Sequence, residues 1–158
     1  YLPFEDIDDI TRFLAPLPDY DIYVYWHLDA PEDRGHLHLR PLSREGFLAD
    51  LVDCEGVICN AGFSLVSEAL HLGKKVLAKP LVMQTEQESN ARALDELTLG
   101  TSMRRLDLDV TREWLSKPSF PPQNYPDVVS TLVDYIDTGE WDDLHRLVAP
   151  AWHGVPLT

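Results

Sequence analysis

The feature that most constrains the fold is an alternation between short apolar, β-branched runs and longer segments whose apolar residues recur with the helical period. The runs predict strands near residues 1–3, 21–26, 36–40, 56–59, 75–79 and 100–103, and the longer segments predict helices near 6–15, 44–53, 63–72 and 85–97. Ser43 is the expected N-cap of the second helix, and Gly73 and Gly100 are the expected stops of the third and fourth. Runs such as "GVIC" and "KVLAK" lack polar alternation, which is typical of a parallel sheet covered by helices on both faces. The rhythm therefore predicts an α/β fold with an open, Rossmann-like, doubly wound parallel sheet.

The pattern changes after residue 104 to helical segments near 110–116, 126–138 and 141–148, with the proline-rich "KPSFPPQNYP" between the first two. A length of 158 residues suits one domain. We expect an α/β core over about 1–104 and a helical tail over about 105–158. We interpret the opening "YLPF" as the middle of a strand, hence as part of a longer protein, and "APEDRG" at 30–35 as a polar loop.

Charge and composition narrow the classes of partner. A net charge of −14 argues against binding to a nucleic-acid backbone. No apolar run approaches the roughly 20 residues of a membrane helix, and no signal-like segment opens the chain, so we expect a cytoplasmic protein with Cys54 and Cys59 reduced. Residues 36–79 carry as many basic as acidic side chains, so a small phosphate-bearing molecule is not repelled there.

The first candidate site lies in "NAGFSLVSEALHLGKK", where a predicted strand turns into a helix that Gly73 ends. In an open α/β sheet, ligands collect outside the carboxyl ends of the strands. Gly62 removes a side chain where a ligand could approach the backbone. The amides of Phe63, Ser64 and Leu65 could then hold a diphosphate with help from the helix dipole.

Glu68 is a lone acid on this otherwise apolar helix, and the sequence leaves two explanations open. Helical side chains lean toward the amino end, so its carboxylate could accept hydrogen bonds from ribose hydroxyls in the same crevice. Alternatively, it could be a first-turn acid favoured by the helix dipole. A capping box fits poorly, because Ser64 precedes Glu68 by four positions instead of three.

The second candidate site lies in "PLVMQTEQESNARAL", which follows the strand predicted at 75–79. Gln84, Glu86, Gln87 and Asn90 place polar groups suited to sugar hydroxyls at a strand's carboxyl end. The alternative is a solvated helix start in which Thr85 is the N-cap and Glu88 completes a capping box. That alternative accounts for Thr85 and Glu88 only.

The other residues with known motif patterns favour neither a metal site nor a redox-cofactor site. The six histidines show no zinc-ligand spacing, so we expect no metal site. The turn at 60–62 lacks the glycine pattern of a dinucleotide fingerprint, and no Walker loop or nucleophile elbow is present.

The two candidate segments together resemble the nucleotide-sugar-binding half of GT-B glycosyltransferases. They resemble in particular family 28, which includes the muramyl-peptide N-acetylglucosaminyltransferase. A closer likeness is to a less characterised group of bacterial and archaeal glycosyltransferase-like proteins with similar "YLPF", "GF" and "EQ..NA" segments. The matched pattern is a strand, a small-Gly turn, a helix with Ser-Glu-Ala, Gly-basic, a strand ending in Pro, and then a Gln-rich segment with Asn-Ala. The resemblance is close over residues 56–100 and looser over 1–55.

This resemblance implies that the chain binds the UDP-sugar donor of a hexosyltransferase without a metal or other cofactor. It implies that Gly62, Phe63, Ser64 and Leu65 hold the diphosphate, that Glu68 holds the ribose, and that Glu86, Gln87 and Asn90, with Gln84 beside them, face the sugar. Leu42 and Ser43 would lie beside the base. Some relatives carry glutamine where this chain has Glu86, so the sugar preference could differ.

The same resemblance places the acceptor site and the catalytic base in an N-terminal domain that is absent from this chain, so the isolated half is expected to be inactive. That domain and a nucleotide sugar are the implied partners. Two alternatives remain open at this point: a sugar-nucleotide epimerase with the same two-domain cleft, and a non-catalytic nucleotide-sugar-binding module.

Overall fold

The computed structural model describes residues 1–119, 121–123, 125–139 and 141–151, and the chain divides into two compact units after Pro122. The first unit contains helices Ile7–Leu14 (α1), Arg44–Asp53 (α2), Phe63–His71 (α3), Thr85–Glu96 (α4) and Leu108–Ser116 (α5). Its strands are Ile22–Trp26 (β1), Glu32–Arg34 (β2), Leu37–Pro41 (β3), Gly56–Cys59 (β4), Lys75–Ala78 (β5) and Thr101–Ser102 (β6). The second unit contains helices Val128–Thr138 (α6) and His145–Ala151 (α7).

The strands form two three-stranded sheets, ordered β1-β3-β2 and β4-β5-β6. The β4-β5-β6 sheet is parallel throughout, and β1 and β3 are also parallel. Only β2 runs antiparallel to its neighbour β3. The predicted α/β class is therefore confirmed, with helices alternating with parallel strands along the chain.

The β4-β5-β6 sheet is buried on both faces. Val76 and Ala78 of β5 share one core cluster with apolar side chains of α2, α3 and α4. Leu77 points to the opposite face, where it packs with Met103 and with Trp114 of α5. All four residues of β5 are buried, which explains why its sequence lacks polar alternation.

The β1-β3-β2 sheet has one apolar and one polar face. Val24, Leu37 and Leu39 pack with Ile10 and Leu14 of α1. On the other face Tyr23 stacks on His38, with ring centroids 4.8 Å apart, and the His38 imidazole contacts Asp33 at 2.9 Å. The Asp33 carboxylate raises the pKa of His38 above its ordinary value.

Two predictions for the first 35 residues are wrong, one of a strand and one of a loop. Residues 1–3 form no strand, although the amino group of Tyr1 donates a hydrogen bond to the carbonyl of Ile58 at 2.5 Å. The segment 30–35, predicted as a polar loop, contains β2, because Gly35 adopts φ +64° and lets the chain reverse into β3. Arg40 donates to Asp33 at 2.7 Å and links the two strands of this hairpin.

The helix boundaries confirm some predicted caps and correct others. Ser43 is the N-cap of α2, accepting from the Gly46 amide at 3.1 Å, and Gly73 follows α3 with φ +70°. The predicted stop at Gly100 is wrong, because α4 already ends at Glu96 and Thr98 adopts the left-handed conformation at φ 55°. The Thr85 cap is also wrong, because α4 begins at Thr85 after an N-cap at Gln84.

The described residues of the second unit contain α6 and α7, where the sequence predicts helices near 126–138 and 141–148. Asp127 caps α6 by accepting from the Ser130 amide at 3.0 Å, and Gly139 ends that helix with φ +66°. None of the α6 side chains is buried.

Candidate functional site

The turn at residues 60–62 places the start of α3 at the carboxyl end of β4. Gly62 is the N-cap and has no side chain to accept from the first helical amides. A Cβ built on Gly62 would meet no atom within 4 Å, so the space in front of this turn is open. Phe63, with 70% of its surface exposed, and Ser64 point outward, while Leu65 is half-buried. The predicted diphosphate turn is therefore accessible.

Helix caps separate α3 and α4 from the other helices of the first unit. Asp6, Ser43 and Asp107 accept hydrogen bonds from amides at the start of α1, α2 and α5, respectively. By contrast, α3 and α4 have no side-chain cap. Uncapped helical amides carry a partial positive charge and readily bind anions. Both uncapped helices follow adjacent parallel strands, β4 and β5, so their amino ends lie at one edge of the sheet.

Glu68 is the sixth residue of α3, which corrects one of its two explanations. The helix begins at Phe63 and has no acid in its first turn, so Glu68 does not complement the amino-terminal dipole from there. The side chain is exposed, and no described residue forms a hydrogen bond or ion pair with its carboxylate. Two acceptor oxygens are therefore available to a ligand beside the helix.

The side chains predicted to face the sugar divide into two pairs. Gln84 and Glu86 are exposed, and their side chains have no hydrogen-bond partner among the described residues. Gln87 accepts from the Leu81 amide at 3.0 Å through Oε1, and Asn90 donates to the Ala61 carbonyl at 3.0 Å through Nδ2. Gln87 and Asn90 thus hold the loops, and each keeps its other polar atom for a ligand.

Asn90 brings the two candidate segments together, because it belongs to α4 and binds the turn that starts α3. A second amide completes the link. Asn60 donates to the carbonyl of Lys79 at 2.9 Å, and the Lys79 amide donates to the carbonyl of Cys59 at 2.8 Å. The turn after β4 and the loop after β5 are therefore joined by side-chain as well as backbone hydrogen bonds.

Three residues at this edge escaped the sequence analysis: Asn60, Lys79 and Glu5. Asn60 is only 9% exposed, and its Oδ1 has no hydrogen-bond partner among the described residues. Lys79 is 8% exposed and forms an ion pair with Glu5. The available signal was their position, since Asn60 and Lys79 are the first residues after the buried strands β4 and β5.

Leu42 and Ser43, predicted to lie beside the base, are exposed residues between β3 and α2. Ser43 also lines a cleft of about 530 Å³, together with Tyr25, Pro31, Asp33, Arg40, Pro41 and Gly46. At the cleft, the Tyr25 hydroxyl donates to Asp50 at 2.7 Å. Burial, followed by this hydrogen bond, raises the pKa of Tyr25.

The described residues contain neither a cluster of metal-ligating side chains nor a membrane-spanning helix. In that part of the chain no group of three His, Cys, Asp or Glu side chains could hold a metal ion. The same part contains no helix with the length and apolar character needed to cross a membrane. Cys54 and Cys59 are both free thiols, and burial raises the pKa of Cys59 to about 11.

The structure defines an α/β domain with accessible helix starts at the carboxyl ends of parallel strands, the place where open α/β sheets bind ligands when they have one. Comparison with known proteins identifies the family of this domain. Residues 6–117 match the model of glycosyl transferase family 1, and the chain therefore belongs to that family. No curated protein and no solved structure gives a significant match to the chain.

The family match spans every element from α1 to α5 and includes both candidate segments. The chain is therefore a GT-B glycosyltransferase domain whose α/β core forms a Rossmann-like half. The match names family 1, so it supports the predicted glycosyltransferase relationship without singling out family 28 or the muramyl-peptide enzyme.

Proposed function

We propose that this chain binds a UDP-sugar and presents it for transfer of a hexose, such as N-acetylglucosamine, to an acceptor hydroxyl. The observation that carries the proposal is the uncapped start of α3 beside a carboxylate, Glu68, that no described residue engages. A nucleotide diphosphate needs a positive centre for its phosphates and acceptor oxygens for its ribose hydroxyls, and this helix offers both.

The diphosphate would lie against Gly62, Phe63, Ser64 and Leu65. Three consecutive helical amides point away from the helix there, and Gly62 leaves the approach open. Such amides also stabilise the charge that grows on the leaving diphosphate as the glycosidic bond breaks, because they are already oriented before the reaction. In this proposal they take the part that a metal ion has in other transferases.

The ribose and the sugar would extend from this point in two directions. Glu68 lies beyond the first turn, and its side chain leans back toward the amino end of α3, where it can accept from ribose hydroxyls. The sugar would face α4, where Gln84, Glu86, Gln87 and Asn90 retain free polar atoms. Some relatives have glutamine at the position of Glu86. An ionised Glu86 can only accept hydrogen bonds, so it would favour a sugar position with a hydroxyl or an amide N–H over one with only an acceptor.

The base would lie near Leu42 and Ser43, bound through main-chain groups. The proposal places the acceptor and the general base on an N-terminal domain of the GT-B fold and assigns catalysis to the two halves together. Donor binding is thus the property to test on this chain, in the cytoplasmic pH range expected for it.

Calorimetric titration with UDP and with 2′-deoxy-UDP tests this assignment. Wild-type chain is expected to bind UDP about tenfold more tightly than the deoxy analogue, because a hydrogen bond to a charged group contributes roughly 1.5–3 kcal/mol. Glu68→Gln should bind UDP more weakly and show a smaller preference for it over the deoxy analogue, because a neutral amide oxygen forms a weaker hydrogen bond than a carboxylate.

Glu113→Gln is the matched control, since Glu113 lies on α5 with an exposed side chain and only a surface ion pair to Lys117. It should keep the wild-type preference for UDP. Absence of UDP binding by the wild-type chain, or an unchanged preference in Glu68→Gln, would refute the proposal.

A further inference from the structure

A buried ion pair lies at the ligand edge of the sheet and has no part in the function proposed above. Lys79 follows β5 directly, and its side chain is 10% exposed. Its ammonium donates to the carboxylate of Glu5, a residue 74 positions earlier that precedes α1. A buried pair of this kind contributes little stability compared with well-packed apolar residues, so its presence at this edge calls for another explanation.

Lys75 provides an internal comparison, because it begins β5, four positions before Lys79, and is also buried. Its ammonium donates to the carbonyls of Leu115 and Lys117 at 2.9 and 3.2 Å and also lies 5.7 Å from the Trp114 ring centroid. The Lys75 ammonium thus binds the end of α5 through two hydrogen bonds and a cation–π contact. An ammonium has three N–H donors, and among the described residues Lys79 uses only one of them, toward Glu5.

The position of Lys79 relative to the diphosphate turn is fixed by hydrogen bonds. Its amide donates to Cys59 and its carbonyl accepts from Asn60, the residue two places before Gly62. Adjacent strands lie about 4.8 Å apart, so Lys79 at the end of β5 lies about one strand spacing from Asn60 at the end of β4. The amides of Phe63 to Leu65 and the spare donors of Lys79 thus lie at the ends of neighbouring strands.

We propose that Lys79 is a second positive contact for the nucleotide diphosphate, and that Glu5 holds its ammonium at the edge of the site while the site is empty. This inference rests on the proposed function. Glu5 carries a negative charge of its own, so the Glu5–Lys79 pair is neutral as a whole and the helix amides supply the net attraction. Binding then transfers one or more Lys79 donors from the carboxylate toward phosphate oxygens.

Binding of UDP and of uridine to charge-matched lysine variants tests the proposal. Lys79→Met is expected to weaken UDP binding at least about tenfold and to leave uridine binding unchanged, because only the diphosphate loses a contact. Lys79→Arg should recover most of the affinity. Lys74→Met removes the same charge at the other end of β5, where the ammonium donates to Val52, and should bind UDP within twofold of wild type.

Glu5→Gln keeps the experiment informative if Lys79→Met does not fold. Removing the competing carboxylate frees the ammonium, so UDP binding should become severalfold tighter and more sensitive to added salt. A pair that only fastens Glu5 to the sheet predicts unchanged or weaker binding. If the wild-type chain binds UDP and Lys79→Met binds it within twofold of wild type, the inference about Lys79 is overturned and the proposed function stands. Failure of the wild-type chain to bind UDP would instead refute the proposed function itself.

Discussion

The two ends of strand β5 are built in opposite ways. At the amino end, Lys75 donates to two carbonyls at the end of α5, and Trp114 packs over it. At the carboxyl end, two helices begin without side-chain caps, and Asn60 Oδ1 and the Glu68 carboxylate have no hydrogen-bond partner among the described residues. The two ends therefore differ in access: the closed end is covered by α5, where the buried Trp114 Nε1 also has no hydrogen-bond partner among the described residues, whereas the open end leaves uncapped helical amides and the exposed Glu68 carboxylate.

The largest effect is expected from Trp114→Ala at the closed end. Trp114 is 4% exposed and packs with Leu77 and Met103 beneath the sheet. Truncating a buried aromatic residue of this size costs about 3–5 kcal/mol of unfolding free energy. Urea denaturation measures that loss. Under conditions where the variant is folded, its UDP affinity should match wild type; a large loss of affinity would show that the two ends are not separable.

A pair of glycine variants sharpens the comparison with the same chemical change at both ends. A Cβ on Gly56 would lie 2.9 Å from the Lys75 carbonyl oxygen and 2.9 Å from Trp114 Cζ2, so Gly56→Ala should cost about 1–3 kcal/mol. Gly62→Ala meets no atom and should cost less than about 1 kcal/mol. UDP titration should reverse this order, with Gly62→Ala binding more weakly because its methyl group covers the helical amides. Equal binding by both variants would argue against a ligand at the turn.

A smaller stability effect than that of Gly56→Ala is expected from Asn90→Ala, which removes the side-chain link between α4 and the turn. One lost hydrogen bond costs about 1 kcal/mol of unfolding free energy. UDP affinity should fall severalfold, since the turn is no longer held. Arg92→Ala on the same helix is the control: its pair with Glu96 is largely exposed, so stability should change by no more than about 0.5 kcal/mol and affinity should stay unchanged. An Asn90→Ala variant with wild-type affinity would show that the link has no part in binding.

Local signals in the sequence predicted the elements whose causes are local. Helix α2 was predicted with its observed bounds because Ser43 caps it and its apolar residues recur with the helical period. The cap of α4 was missed because it depends on the backbone conformation at Gln84, and a good capping residue, Thr85, stands next to it. Strand β2 was missed because its three residues, Glu32 to Arg34, are all polar and exposed.

The residues of the proposed site divide into two that the sequence pattern places on the fold and two that it misses. Gly62 and Glu68 could be placed from the strand–turn–helix pattern alone, and the structure gives Glu68 no competing partner. Asn60 and Lys79 acquire their significance from contacts made 19 and 74 positions away along the chain. No periodicity or spacing encodes such contacts, so only the folded structure reveals them.

The most direct test of the open end is an amide-resolved NMR titration of the ¹⁵N-labelled chain with UDP. The account predicts that the largest shifts occur at the backbone amides of Phe63, Ser64 and Leu65 and at the side-chain amide of Asn60. Signals of Leu115 and Lys117 at the closed end should stay in place. Shifts that are absent from the start of α3, or that are equally large at both ends of β5, would contradict the account.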